Sequence, residues 1–184
     1  MRRGFNKIPD QSIRYFVILP SSMKLPRLLP LIASILICEL AGIIGSLFTA
    51  PAITGWYKGI VKPSFNPLAW VFGPVWTTLF FLMGISAFLI YEKGFKRQNV
   101  KRALSLFAVQ LTLNTLWSIL FFGFHNPTLA FLDILLLWLA ILATIISFSE
   151  ISSPATWLLI PYLLWVTFAA FLNLSIVLLN AGAK

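Results

Sequence analysis

The side chains able to do chemistry in this chain are amides and aromatic rings set into apolar sequence. Gln110, Asn114 and Trp117 follow at +4 and +3, which places them on one face of a helix. Tyr162, Trp165, Ala169 and Asn173 repeat at +3, +4 and +4, and Phe72, Trp76, Phe80 and Met83 at +4, +4 and +3. An amide in hydrocarbon must find a partner, because leaving it unpaired costs roughly 2–7 kcal/mol. Hydrogen bonds that hold helices together would satisfy that demand, and so would contacts to a bound molecule. Ala169 is small where its neighbours on the stripe are large, and Pro161 is expected to kink the same helix and free a carbonyl. Three aromatic stripes, two of them carrying amides, describe a cavity suited to a flat, largely apolar ligand.

Other reactive types narrow the chemistry. Glu39 and Asp133 lie within apolar segments, where an acid is a functional candidate by default. No His, Lys or Arg accompanies them there, so they form no proton relay; the reading favoured for each is a protonated or amide-paired packing residue. Cys38 is the only cysteine and His125 the only histidine, which excludes an internal disulfide, a cysteine metal cluster and a histidine-rich metal site. No Gly-rich phosphate loop or nucleophile–base pair is present. The expectation is a site with no metal and no required cofactor.

The stretch Gly55 to Trp76, GWYKGIVKPSFNPLAWVFGPVW, gathers Trp56, Tyr57, Trp70 and Trp76 with Pro63, Pro67, Pro74 and the cations Lys58 and Lys62. Proline stops helices and biases its predecessor towards extended backbone, so Lys62-Pro63 and Asn66-Pro67 predict a stiff, shaped loop. Its aromatics suit a membrane–water boundary, where an anchor would need the same residues. The coincidence of stiff prolines with several tryptophans favours a lid over the cavity.

These side chains need elements to position them, and composition names the elements. Of 184 residues 59% are hydrophobic and 10% charged, far below the roughly 25% of soluble domains, so the chain is an all-α integral membrane protein. Five apolar segments near the ~20 residues of a membrane-crossing helix fall at 28–49, 70–91, 102–123, 128–148 and 156–179. A five-transmembrane-helix bundle follows, because open β-structure cannot span lipid. It occupies 28–180, between a basic extension 1–27 and a short tail 181–184. The net charge of +9 is an orientation signal and implies no nucleic-acid partner: eleven of fourteen cations lie in the N-terminal segment and in the loop after the second helix. That places the extension in the cytoplasm, and the Trp56–Trp76 loop and the C-terminus outside. Met23 is an alternative start, and the long first segment with Ala50-Pro51 after it does not read as a cleaved signal peptide.

Four motifs carry a resemblance: WY-x4-KP-x2-NP, W-x-FGPVWT, Q-x3-N-x2-WS-x2-FF and PY-x2-W-x3-A-x3-N. In order and spacing across about 50–180 the sequence resembles the translocator protein/tryptophan-rich sensory protein (TspO/MBR) family. The resemblance implies a five-helix, often dimeric protein that takes porphyrin, haem-like or sterol ligands, or ligands of the benzodiazepine type, under its first loop. By the same resemblance the ligand-binding residues are Trp56, Tyr57, Pro63, Asn66, Trp76, Asn114, Trp117, Trp165 and Ala169. Departures are Phe65-Asn66-Pro67-Leu68 where many members have W-x-P-P, and Phe80 where a tyrosine is common. Phe171–Asn180 lacks the Tyr and cation of the animal cholesterol-recognition stretch, which points to a bacterial-type member in a cell membrane. The functions implied are a receptor-like tetrapyrrole-binding protein in tetrapyrrole homeostasis or stress sensing, a light- and oxygen-dependent porphyrin-degrading enzyme with Trp76 and Trp165 as redox candidates, or a transporter. Transport lacks support from inverted repeats or paired broken helices. The small-residue pairs Ala41/Gly45 and Gly42/Ser46 would serve a homodimer or packing within one chain.

Overall fold

The computed structural model of the protein describes residues 25–182. Most of the basic extension, including Met23 and the cations Arg2, Arg3, Lys7, Arg14 and Lys24, lies outside the described residues, as does Lys184. Five helices are long and apolar enough to cross a membrane, and the protein is a multi-pass integral membrane bundle. They are α1 (Leu25–Thr54), α3 (Ala69–Tyr91), α4 (Gln98–Ser118), α5 (Pro127–Ser149) and α6 (Ser153–Asn180). A one-turn helix, α2 (Trp56–Gly59), follows α1, and a π-helical turn, Ile119–Gly123, extends α4.

Two expectations change. The first helix does not end at Thr49 but runs through Pro51 to Thr54, and Trp56–Gly59 is helical where a loop was expected. Proline forfeits a ladder bond, yet inside a membrane helix the loss is tolerated, as Pro30, Pro74 and Pro161 also show. Pro161 leaves α6 unbroken.

Packed neighbours close the five helices into a ring in the order α1, α3, α6, α5, α4. The interior is filled by Met83, Ile90, Val100, Ile134, Leu137, Phe148, Leu159 and Val166, all fully buried. Leu29, Leu36, Leu47, Leu136, Trp157 and Leu164 face outwards, as a lipid-facing surface requires. Buried hydroxyls are satisfied: Ser86 donates across from α3 to the Ala155 carbonyl of α6 at 2.7 Å, and Thr144 donates within α5 to that of Ala140 at 2.7 Å. Asn126 caps α5, its Oδ1 accepting from the Leu129 amide at 3.0 Å ahead of Pro127 at the first turn. Its predecessor His125 takes a φ of 52°, the left-handed turn that redirects the chain into α5.

Candidate functional site

At the α2 end the ring encloses a cavity of about 460 Å³, within the roughly 300–1,000 Å³ of small-molecule sites. Four of the five ring helices supply its walls. From α3 come Phe72, Trp76 and Phe80; from α4 and its π turn Asn114, Trp117, Phe121 and Phe122; from α6 Trp165, Ala169, Leu172 and Asn173. α1 contributes small residues, Ala41, Gly42, Gly45, Ser46 and Ala50 among them.

The aromatic walls are built by mutual packing. Trp76 stacks on Phe80 with centroids 5.6 Å apart and meets Tyr162 edge-on at 6.3 Å. Phe72 and Trp165 meet edge-on at 5.9 Å, and Trp117 stacks on Phe121 at 5.0 Å. The π turn belongs to this arrangement: Phe124 donates its amide to the Ile119 carbonyl at 2.8 Å, and the widened turn buries Phe121 among the rings.

Two of the three amides of the stripes, Asn114 and Asn173, join helices while lining the cavity. Asn114 Nδ2 donates to the Tyr162 hydroxyl at 2.9 Å, tying α4 to α6. The Trp117 indole donates to Asn173 Oδ1 at 3.0 Å, and Asn173 Nδ2 donates to the Pro127 carbonyl at 2.8 Å. The Asn114 bond engages the nitrogen, and Oδ1 takes no hydrogen bond among the described residues. Trp165 Nε1 is buried with no partner among the described residues, as are both amide atoms of Gln110 and one oxygen of Asp133.

A cap closes the α2 end. Tyr57 donates to Asn66 Oδ1 at 2.8 Å, and Asn66 donates through its amide to the Pro63 carbonyl at 3.0 Å and through Nδ2 to that of Pro67 at 3.0 Å. Lys62 Nζ donates to the Ile60 carbonyl at 2.9 Å and sits 4.8 Å from the Tyr57 ring centroid. Burial raises the Tyr57 phenol above its ordinary pKa, and the Asn66 hydrogen bond works the other way. Trp56 stacks on His125 at 4.7 Å, with the planes 17° apart, and meets Phe121 edge-on at 5.6 Å. Asn180, at the end of α6, clamps the backbone of Val61 from both sides: Oδ1 accepts from its amide at 3.0 Å and Nδ2 donates to its carbonyl at 2.9 Å.

Of the nine residues expected from the sequence, Tyr57, Trp76, Asn114, Trp117, Trp165 and Ala169 line the cavity. Trp56, Pro63 and Asn66 instead shape the cap. Gln110, Met83 and Tyr162, taken as parts of stripes, are core residues behind the wall. The small residues of α1, the phenylalanines of the π turn and the Asn180 clamp were not anticipated. Glycine and alanine at helical spacing signal close packing, and packing is what they provide: a Cβ added at Gly42 would lie 2.5 Å from the Phe80 ring, and one at Gly45 2.9 Å from the Ser118 hydroxyl. The Asn180 clamp joins residues too far apart in sequence for any local signal.

Known proteins place this architecture. Residues 34–179 match the TspO/MBR family. The chain is 47% identical over 155 residues to the tryptophan-rich protein TspO of Archaeoglobus fulgidus, covering 84% of this chain and 99% of that protein. It is 44% identical over 154 residues to the tryptophan-rich protein TspO of Chlorobaculum tepidum, covering 84% and 98%. The translocator protein of Ovis aries is 35% identical over 161 residues, covering 86% and 95%. Five spanning helices in this order, the four motifs and these matches lead to one conclusion: the chain belongs to the TspO/MBR family.

Proposed function

We propose that the protein is a receptor-like membrane protein that binds porphyrin-type tetrapyrroles in the cavity beneath the α2 cap. The observation that carries this reading is the cavity wall itself. The rings of Phe72, Trp76, Phe80, Trp117 and Trp165 surround about 460 Å³ of space that Ala169 keeps open. Stacked and edge-on rings offer a planar macrocycle large apolar contact, and Asn114 Oδ1 offers an acceptor to a pyrrole N–H. The names of the relatives, a translocator and tryptophan-rich proteins, accord with a ligand-handling role in membranes. Titrating the purified protein with protoporphyrin IX in the dark tests it: the tryptophans of the wall should be quenched saturably. Quenching that rises linearly without saturation would overturn the reading.

Trp76 and Trp165 both line the cavity, which favours a second activity at the same site, light- and oxygen-dependent breakdown of the bound porphyrin. Trp76→Phe keeps an aromatic wall and should bind porphyrin nearly as well, while product formation under illumination falls if the indole is the redox partner. Undiminished product from Trp76→Phe would remove Trp76 from that chemistry.

A further inference from the structure

The cavity opens along the seam between α1 and α3. The two helices are pinned where Gly84 meets Ile35: a Cβ added at Gly84 would lie 2.5 Å from the Ile35 Cα. Towards the cap the seam is open at Gly73, where an added Cβ would meet no other part of the chain within 4 Å. In this gap Ile43, Ser46 and Ala50 of α1 and Trp70, Gly73 and Thr77 of α3 line the cavity while remaining exposed. The interior space is therefore continuous with a groove on the lipid-facing surface.

Glu39 sits at the pinned end of that groove. It is half-buried and lines the cavity, one turn after Ile35 and three residues before Gly42. Its carboxyl has no hydrogen-bond or ion partner among the described residues. At 1.5 Å per residue it lies roughly 20 Å from either end of α1, near the middle of the span. The nearby Ser46 hydroxyl is already committed to the Ile43 carbonyl at 2.7 Å. The stacked rings of Trp76 and Phe80 also line this part of the cavity. A carboxyl facing an aromatic cavity from within hydrocarbon presents an unanswered demand for a positive donor.

We propose that Glu39 is a specificity-determining residue, selecting flat apolar ligands that carry a basic nitrogen. A basic amine entering there takes the carboxyl proton, and the ammonium–carboxylate pair that results lies in a low-dielectric site, where the attraction is far stronger than in water. The aromatic faces beside it add cation–π attraction. An acidic group finds no cation at Glu39, so a porphyrin would bind with its propionates towards Lys58 and Lys62 at the cap. The inference rests on the cavity being the ligand site described above, and adds the polarity of its deep end.

The test compares 1-pyrenemethylamine with 1-pyrenemethanol, flat probes of one size, in nanodiscs of zwitterionic lipid, with quenching of tryptophan fluorescence as the signal. The wild type should bind the amine about tenfold more tightly than the alcohol. Glu39→Gln should bind the two equally, Glu39→Asp should keep a preference of the same sign, and Glu150→Gln, at the end of α5, should match the wild type. A preference absent from the wild type, or unchanged in Glu39→Gln, overturns the proposal. Protoporphyrin IX titrated into the same nanodiscs separates the two readings. Porphyrin binding with an amine preference indifferent to Glu39 sinks this inference alone. A Glu39-dependent preference without porphyrin binding supports it and sinks the porphyrin assignment.

Discussion

Asn114 and Tyr162 are joined across α4 and α6 by a 2.9 Å hydrogen bond in which the amide nitrogen donates to the phenolic oxygen. Asn114 is on the cavity lining, and Tyr162 stands behind it, edge-on to Trp76. Tyr162→Phe leaves the amide buried without that acceptor, and should lower stability by about 1–3 kcal/mol. Asn114→Leu combined with Tyr162→Phe removes both polar groups and should recover part of the loss. Thermal unfolding of the single and double variants in one detergent measures this. A double variant no more stable than Tyr162→Phe would show that the hydrogen bond is not what the phenol contributes.

Ala169 is the gap in the α6 wall. Ala169→Phe places a ring in the cavity, and overpacking of this kind costs about 1–3 kcal/mol. If the cost falls on the complex, porphyrin binding weakens by roughly tenfold to a hundredfold. Unchanged affinity, with unchanged quenching of the wall tryptophans, would place the ligand elsewhere.

Tyr57 links the cap to pH. Its phenol is buried and raised above its ordinary value, so closure of the cap is favoured by the protonated form. The stabilisation is fully present below the ordinary phenol value of about 10, and is lost as pH rises through the raised value. Ionisation also removes the proton that Tyr57 donates to Asn66. Porphyrin dissociation should therefore accelerate at strongly alkaline pH, and Tyr57→Phe should abolish that step. An identical alkaline step in Tyr57→Phe would assign it to another group.

Gly84 and Gly73 lie on the same helix and should respond unequally to one methyl group. At Gly84 the added carbon meets the backbone of Ile35 at 2.5 Å, where nothing flexible can yield, so Gly84→Ala should destabilise by about 1–3 kcal/mol. At Gly73 no other part of the chain stands within 4 Å, and only the ring of the following Pro74 crowds an added Cβ, so Gly73→Ala should cost less than Gly84→Ala. Unfolding midpoints of the two variants decide it; equal shifts would contradict the pinned and open arrangement of α1 and α3.

The five helices were legible because membrane-length apolar runs admit few other folds. Helix ends were less so: Pro51 reads as a stop in sequence, yet the membrane helix carries it to Thr54. The wall residues Trp76, Asn114, Trp117, Trp165 and Ala169 were legible from spacing, since large and polar groups on one helical face announce themselves. The α1 wall was not, because Gly42 and Gly45 carry no side chain to signal a cavity. Their role follows from which ring stands opposite, and that is a tertiary fact.

The sparse burial of α1 has a consequence for how such a protein can change. α1 contributes Cys38 and Ala41 to the main apolar core, whose remaining buried side chains come from α3, α4, α5 and α6. The helices that hold the molecule together are thus largely separate from the helix that limits the cavity on its open side. Substitutions at Glu39 and Ser46 can recharge or resize the chamber while the other four helices keep their joints. Selectivity and durability are written on different parts of the chain, and one can drift while the other stands still.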